Sequence, residues 1–155
     1  MALSLASPAF VEGEEIPERY TCQGQNTSPP LSWSDTPPGT QSLALVVEDP
    51  DAPDPSAPKR VFTHWLLYNI PADIHELPEG AKQLPAGTAA GTNDFEKKVW
   101  GGPCPPRGRH RYFFRLYALD ERLPDLKEAH KGELLEALRG HVLAEAVLMG
   151  TYEKH

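Results

Sequence analysis

Two short segments concentrate the groups that could bind or transfer protons. They are Asp49-Pro50-Asp51-Ala52-Pro53 and Gly102-Pro103-Cys104-Pro105-Pro106-Arg107-Gly108-Arg109-His110-Arg111-Tyr112. Each joins proline turns to carboxylates, imidazole, phenol or guanidinium. Proline fixes φ and lacks an N–H, so such loops hold their neighbours at low entropic cost. His64 lies apart from both segments, inside a run rich in aromatic and β-branched residues. His110 and Tyr112 share a parity and would face one side of a strand. If the His64 and His110 strands neighbour each other, Asp49, His64, His110 and Tyr112 converge at one end of a sheet. Imidazole N–H and phenol O–H groups donate to anionic oxygens, and a carboxylate can orient an imidazole. Backbone N–H groups near Gly101-Gly102 could add donors. The cluster therefore suits a small anion, a phosphate above all.

Other chemistries fit less well. Two histidines and one or two aspartates could hold zinc or iron(II), but no His-Glu-x-x-His or Cys-x-x-Cys spacing occurs. Cys104, near His110 in sequence, could be a nucleophile, yet it sits between two prolines outside any nucleophile motif. Arg107, Arg109, His110 and Arg111, with Lys97 and Lys98 upstream, could form a basic anion site or simply a solvated loop.

The elements that must position these groups are strands. The chain has 155 residues, of which 17 are proline and 12 glycine, spread as punctuation between short runs. Leu3–Phe10 reads as an edge strand and Leu31-Ser32-Trp33 as a short one. Ser42–Glu48 is an apolar run that stops at Asp49-Pro50. Val61–Ile70 and Arg111–Leu119 are the clearest strands, and 72–98 is loop-rich. After Leu123-Pro124, two short amphipathic helical turns are expected, divided by Gly132 and ended by Gly140. His141–Tyr152, whose alanines and leucines also allow a helix, is read as a closing strand because the architecture needs one more than a further helix. The expected fold is mainly β, a two-sheet antiparallel sandwich with a short helical insertion near the C-terminus, formed by a single domain over 1–155.

A net charge of −7 argues against general nucleic-acid binding. No segment reaches membrane-span length and the N-terminus lacks signal-peptide features, so a cytoplasmic protein is expected. Cys22 and Cys104 could pair in space, although cytosolic thiols are usually reduced.

Tyr20-Thr21-Cys22 with Ser28-Pro29-Pro30-Leu31-Ser32-Trp33, then Asp49-Pro50-Asp51-Ala52-Pro53, His64-Trp65 and Asn69-Ile70-Pro71, then Gly102-Pro103-Cys104-Pro105-Pro106 with His110-Arg111-Tyr112, and finally Gly140-His141-Val142-Leu143-Ala144, span nearly the whole chain. Together they resemble the prokaryotic branch of the phosphatidylethanolamine-binding protein (Raf kinase inhibitor protein-like) family. The resemblance implies an anion pocket formed by Asp49, Asp51, His64, Pro106, His110 and Tyr112, with Gly102 and Pro105 shaping its rim. It further implies a cis peptide at Ala52-Pro53 and a homodimer; the leading expectation is a non-enzymatic binding module without a cofactor, with a hydrolase as a further class. The implied ligand is a phosphate-containing or carboxylate small molecule, with a kinase or protease as alternative partner. Phe62 stands where eukaryotic members of the family carry tryptophan. In this reading His64 and His110 donate to the anion, and affinity falls above about pH 6.5 as imidazolium is lost.

Overall fold

The computed structural model describes every residue except Met1, Lys82 and Glu128. Among the described residues eight strands are formed: β1 (Ser4–Ala6), β2 (Leu31–Ser34), β3 (Ser42–Ala52), β4 (Arg60–Pro71), β5 (Glu76–Leu77), β6 (Ala89–Ala90), β7 (Arg109–Leu119) and β8 (Val142–Glu153). One helix, α1 (Lys131–Leu138), precedes β8. The small sheet has the order β1-β2-β5 and the large one β6-β4-β3-β7-β8, with all pairings antiparallel. The expected two-sheet fold, with its helix near the C-terminus, is therefore what the chain adopts.

Two apolar clusters explain why β3 reads as an unbroken hydrophobic run. Leu43, Leu45 and Val47 face the space between the sheets, beside Leu5, Trp33, Phe114 and Leu116. Ala44 and Val46 face outward, where Leu134 and Leu138 of α1 cover them with Leu66 and Tyr68. A strand buried on both faces loses the alternation of a half-solvated one.

Several boundaries differ from the sequence reading. β1 is only three residues long, because Ser7 turns away to donate from its hydroxyl to the Pro30 carbonyl. β3 continues through Pro50 to Ala52. Its pairing with β7 ends at Glu48, and its register with β4 is irregular between Asp49 and Ala52. The missing proline N–H therefore interrupts no ladder. Gly132 does not divide two helices but lies in the first turn of α1, where N–H groups have no intrahelical partner to lose. Gly140, with φ +81°, does close the helix. Among the described residues no helix is long and apolar enough to cross a membrane.

Candidate functional site

The strands of the small sheet are three, four and two residues long, whereas β3, β4 and β7 have 11, 12 and 11 residues. At one end the inner face of the large sheet is roofed instead by segment 93–106. A cavity of about 460 Å³ remains there, and its lining includes Asp49, Phe62, His64, Phe95, His110 and Tyr112.

Each of these side chains arrives by a legible route. Asp49 keeps the inward parity of Leu43, Leu45 and Val47. His110 and Tyr112 keep that of Phe114 and Leu116, and both are fully buried. β4 and β7 are not neighbours, since β3 lies between them. His64 needs a further device. Val47 pairs with Trp65 but Glu48 pairs with Thr63, so His64 is the extra residue of a β-bulge. The bulge puts His64 on the inner face together with Trp65 and carries Phe62 there too. The His64 ring then lies 5.3 Å from that of Tyr112, 5.1 Å from Phe62 and 5.6 Å from Phe95.

His64 is clamped at two points. Its Nδ1 donates to the Gly101 carbonyl at 2.6 Å, and the Gly101 N–H donates to the His64 carbonyl at 3.1 Å. That bond fixes the tautomer, leaving Nε2 as a lone pair with no protein partner among the described residues. Gly101 permits the clamp, because a Cβ there would lie 2.4 Å from the Phe95 ring. Buried Asn93 stiffens the same segment. Its amide donates to the carbonyls of His64 and Val99, and its Oδ1 accepts from the N–H groups of Phe95 and Lys97.

Burial pushes the pKa of His64 down to about 4. The unfolded chain binds a proton that the folded state refuses between about pH 6.5 and 4. Stability should therefore fall as pH drops through that window, by about 3 kcal/mol at its lower end. Urea unfolding of the wild type at pH 7 and pH 4, beside a His64→Gln variant that lacks this titration, checks it. The two proteins should converge in stability as the pH falls.

His110 is held differently. Nε2 faces the carbonyls of Arg107 and Pro53, at 2.8 and 3.1 Å, and must donate to them. Nδ1 lies 2.5 Å from Oδ2 of Asp49, whose Oδ1 accepts the Asp51 N–H. With Nε2 protonated, a hydrogen between Nδ1 and Oδ2 closes the Asp49–His110 contact. Burial pushes the Asp49 carboxyl up, against the hydrogen bonds from His110 and Asp51 that pull it down. Tyr112 contributes a hydroxyl that is buried without a hydrogen-bond partner. Burial, reinforced by Asp49, pushes its pKa well above the ordinary phenol value.

The remaining expected site residues are near but differently employed. Asp51 does not line the cavity. It accepts from the backbone N–H, Nε and Nη2 of Arg111, each at 2.9 Å, and so ties the end of β3 to β7. Arg111 holds its carboxyl below the usual range. Pro106 forms part of the wall, whereas Pro105 is buried behind it. The Gly102 N–H donates to Oδ1 of Asn26, so neither it nor the Gly101 N–H can serve as an anion donor. Nor do the arginines of 107–111 gather at the pocket: Arg109 faces Glu15 and Glu153. The cations at the cavity are Lys59 and Arg60, which sequence reasoning did not single out. Arg60 bonds Asp94 at 3.0 Å and lies 5.0 Å over the Phe62 ring. Cys104 lines the pocket as half of a disulfide with Cys22. The Ala52-Pro53 peptide is cis. Among the described residues no cluster of histidine, cysteine and carboxylate could hold a metal ion.

A two-sheet β fold with an aromatic pocket at its end, walled by histidines and prolines, defines a binding-type class of protein. Residues 6–153 match the family model described as phosphatidylethanolamine-binding protein. A UPF0098 protein of Methanothermobacter thermautotrophicus is 49% identical, with 98% of this chain and 99% of that protein covered. One from Chlamydia pneumoniae is 47% identical with the same coverage. The crystal structure of a phosphatidylethanolamine-binding protein homologue from Chlamydia trachomatis superposes with a TM-score of 0.92 at 44% identity, covering 99% of both chains. Escherichia coli YbcL gives a TM-score of 0.90 at 33% identity over the whole of both chains. The chain belongs to the phosphatidylethanolamine-binding protein family.

Proposed function

We propose that this protein is a non-enzymatic binding module whose pocket takes a small anion, a phosphate or phosphorylated head group. One observation carries the reading. The Tyr112 hydroxyl is buried without a partner, and Tyr112 lines the cavity together with His64, whose Nε2 has no protein partner among the described residues. A buried hydroxyl left unsatisfied costs about 1–3 kcal/mol, which a ligand oxygen would recover. Lys59 and Arg60 supply positive charge, and Phe62 and Phe95 supply apolar walls. The family's name, which specifies a phosphate-bearing lipid head group, agrees with this. A binding role is favoured over a catalytic one because two of the reactive groups, His110 and Cys104, are engaged by the protein itself. His110 is bonded at both nitrogens, and Cys104 is disulfide-bonded.

Calorimetric titration with phosphoethanolamine at pH 6, beside Tyr112→Phe, tests the reading. The wild type should bind saturably, and the variant at least about tenfold more weakly, the worth of one hydrogen bond to a charged group. The same variant should be more stable than wild type by about 1 kcal/mol, since it deletes an unsatisfied buried hydroxyl. Opposite signs for stability and affinity separate a ligand contact from a general loss of structure. No saturable binding by the wild type overturns the proposal.

A further inference from the structure

We infer, resting on the anion-pocket reading above, that the site selects phosphomonoesters carrying one proton over phosphodiesters. It would then take a free phosphorylated small molecule rather than the diester head group of an intact phospholipid.

The donor inventory at the buried end of the cavity leads there. The single N–H of His64 is spent on Gly101, the Nε2–H of His110 on Pro53 and Arg107, and its Nδ1 on Asp49. The N–H groups of Gly101 and Gly102 are spent on His64 and Asn26. What remains among the described residues there is one side-chain hydroxyl, on Tyr112, and one lone pair, on His64 Nε2, with the Cys104 N–H on the cavity lining as a further donor. The matching ligand group offers an acceptor and a donor side by side. A phosphomonoester monoanion does so, with P–O⁻ for Tyr112 and P–OH for His64. The unesterified oxygens of a diester are both acceptors, so neither can donate to the Nε2 lone pair. Protonating His64 would remove that conflict, and the surroundings of the ring oppose it. Phe62 and Phe95 cover two sides and Tyr112 a third. The charged groups that face His64 are Arg60 and Lys59 from β4 and its approach, Asp94 from the roofing segment, His110 from β7 and Asp49 from β3. Asp94 is itself held by Arg60, and Asp49 by His110, so neither is a free counter-charge. Burial outweighs the pull of Asp94 and keeps His64 neutral near pH 7.

Proton linkage follows. Above the second phosphate pKa of about 6, a free monoester is a dianion. Binding must then take up one proton, whether it comes to rest on oxygen or on Nε2. Apparent affinity should fall roughly fifteenfold between pH 6 and pH 7.5, following the monoanion fraction. The cause differs from loss of a preformed imidazolium, since the titrating group is the ligand.

The test is calorimetry on the wild type with phosphoethanolamine and glycerophosphoethanolamine, which share the ammonium group and differ in the second ester. Titrations at pH 6 and 7.5, in two buffers of unlike ionisation enthalpy, read proton uptake directly. The expected result is uptake of about one proton per monoester at pH 7.5, the roughly fifteenfold affinity loss, and binding of the diester at least about tenfold weaker at pH 6. His64→Gln, whose amide can turn a donor to the ligand, should admit the diester and flatten the pH profile. Equal affinity for the two esters, or saturable monoester binding without proton uptake, overturns this inference and leaves the anion pocket standing. Failure of both esters to bind overturns the pocket reading as well.

Discussion

Reduction of the Cys22–Cys104 disulfide should lower the unfolding free energy by about 4–5 kcal/mol. The two cysteines are separated by 82 residues in sequence. Opening a loop of that length returns much conformational entropy to the unfolded chain. For a protein of this size the loss corresponds to a fall in Tm of about 10–15 °C. Cys22 is exposed, so a small reductant can reach the bond without prior unfolding. Folded geometry should change little. The Cys22 N–H also donates to the Pro103 carbonyl, the Trp100 indole to the Tyr20 carbonyl and the Gly102 N–H to Asn26. These bonds hold residues 20–26 against the pocket wall independently of sulfur. Urea unfolding with and without reductant, and of a Cys22→Ser/Cys104→Ser variant, measures the effect. Phosphoethanolamine affinity should be unchanged in the reduced protein well below its Tm. A cost under about 1 kcal/mol would mean that the unfolded chain already keeps the two segments together. The expectation of a reducing cytoplasm and the paired cysteines pull in opposite directions, and a bond of this worth makes the compartment matter to the protein's persistence.

The sequence reading reached the strands and part of the site for separate reasons. Parity alone placed His110 and Tyr112 on one face, because β7 is regular up to Ala118. Proline and glycine punctuation placed the turns. The closing strand at 142–153 follows from what the architecture needs, since its alanines and leucines fit a helix as well. His64 was named without a direction, since its inward aim depends on a bulge and nothing local marks one. The arginines of 107–111 stay undecided between an anion site and a solvated loop in the sequence, because residue type does not reveal partners. Arg111 faces Asp51 and Arg109 faces Glu15, both distant in sequence. Lys59 and Arg60 went unnoticed because they look like loop solvation until the chain reverses into β4. Donor accounting is the least legible layer. The sequence offers imidazoles as donors, and only the carbonyls of Gly101, Pro53 and Arg107 show that their hydrogens are already committed.

His110→Ala should cost about 3–5 kcal/mol, the range for removing one partner of a buried charge pair. Asp49 and His110 are 3% and 0% exposed, and each is the other's principal polar contact. Without the imidazole, Asp49 keeps only the Asp51 N–H, and the carbonyls of Pro53 and Arg107 lose their donor. The deficit should depend on pH in a definite direction. Burial already raises the Asp49 pKa, and the His110 hydrogen bond and charge restrain it together with the Asp51 N–H. In the variant the folded-state value rises further, so protonation favours folding and the deficit shrinks as pH falls through that value. Urea unfolding at pH 5 and pH 8 should show the smaller deficit at pH 5. An equal deficit at both would assign the loss to packing and orphaned carbonyls instead. A double-mutant cycle sharpens the distinction. Asp49→Leu with His110→Leu removes both polar groups together and should cost clearly less than the two single changes summed. The same arithmetic explains why Tyr112→Phe, and not His110→Ala, is the instructive binding variant. Tyr112 has an unspent hydroxyl that a ligand can claim, whereas His110 spends every hydrogen holding the floor of the pocket together.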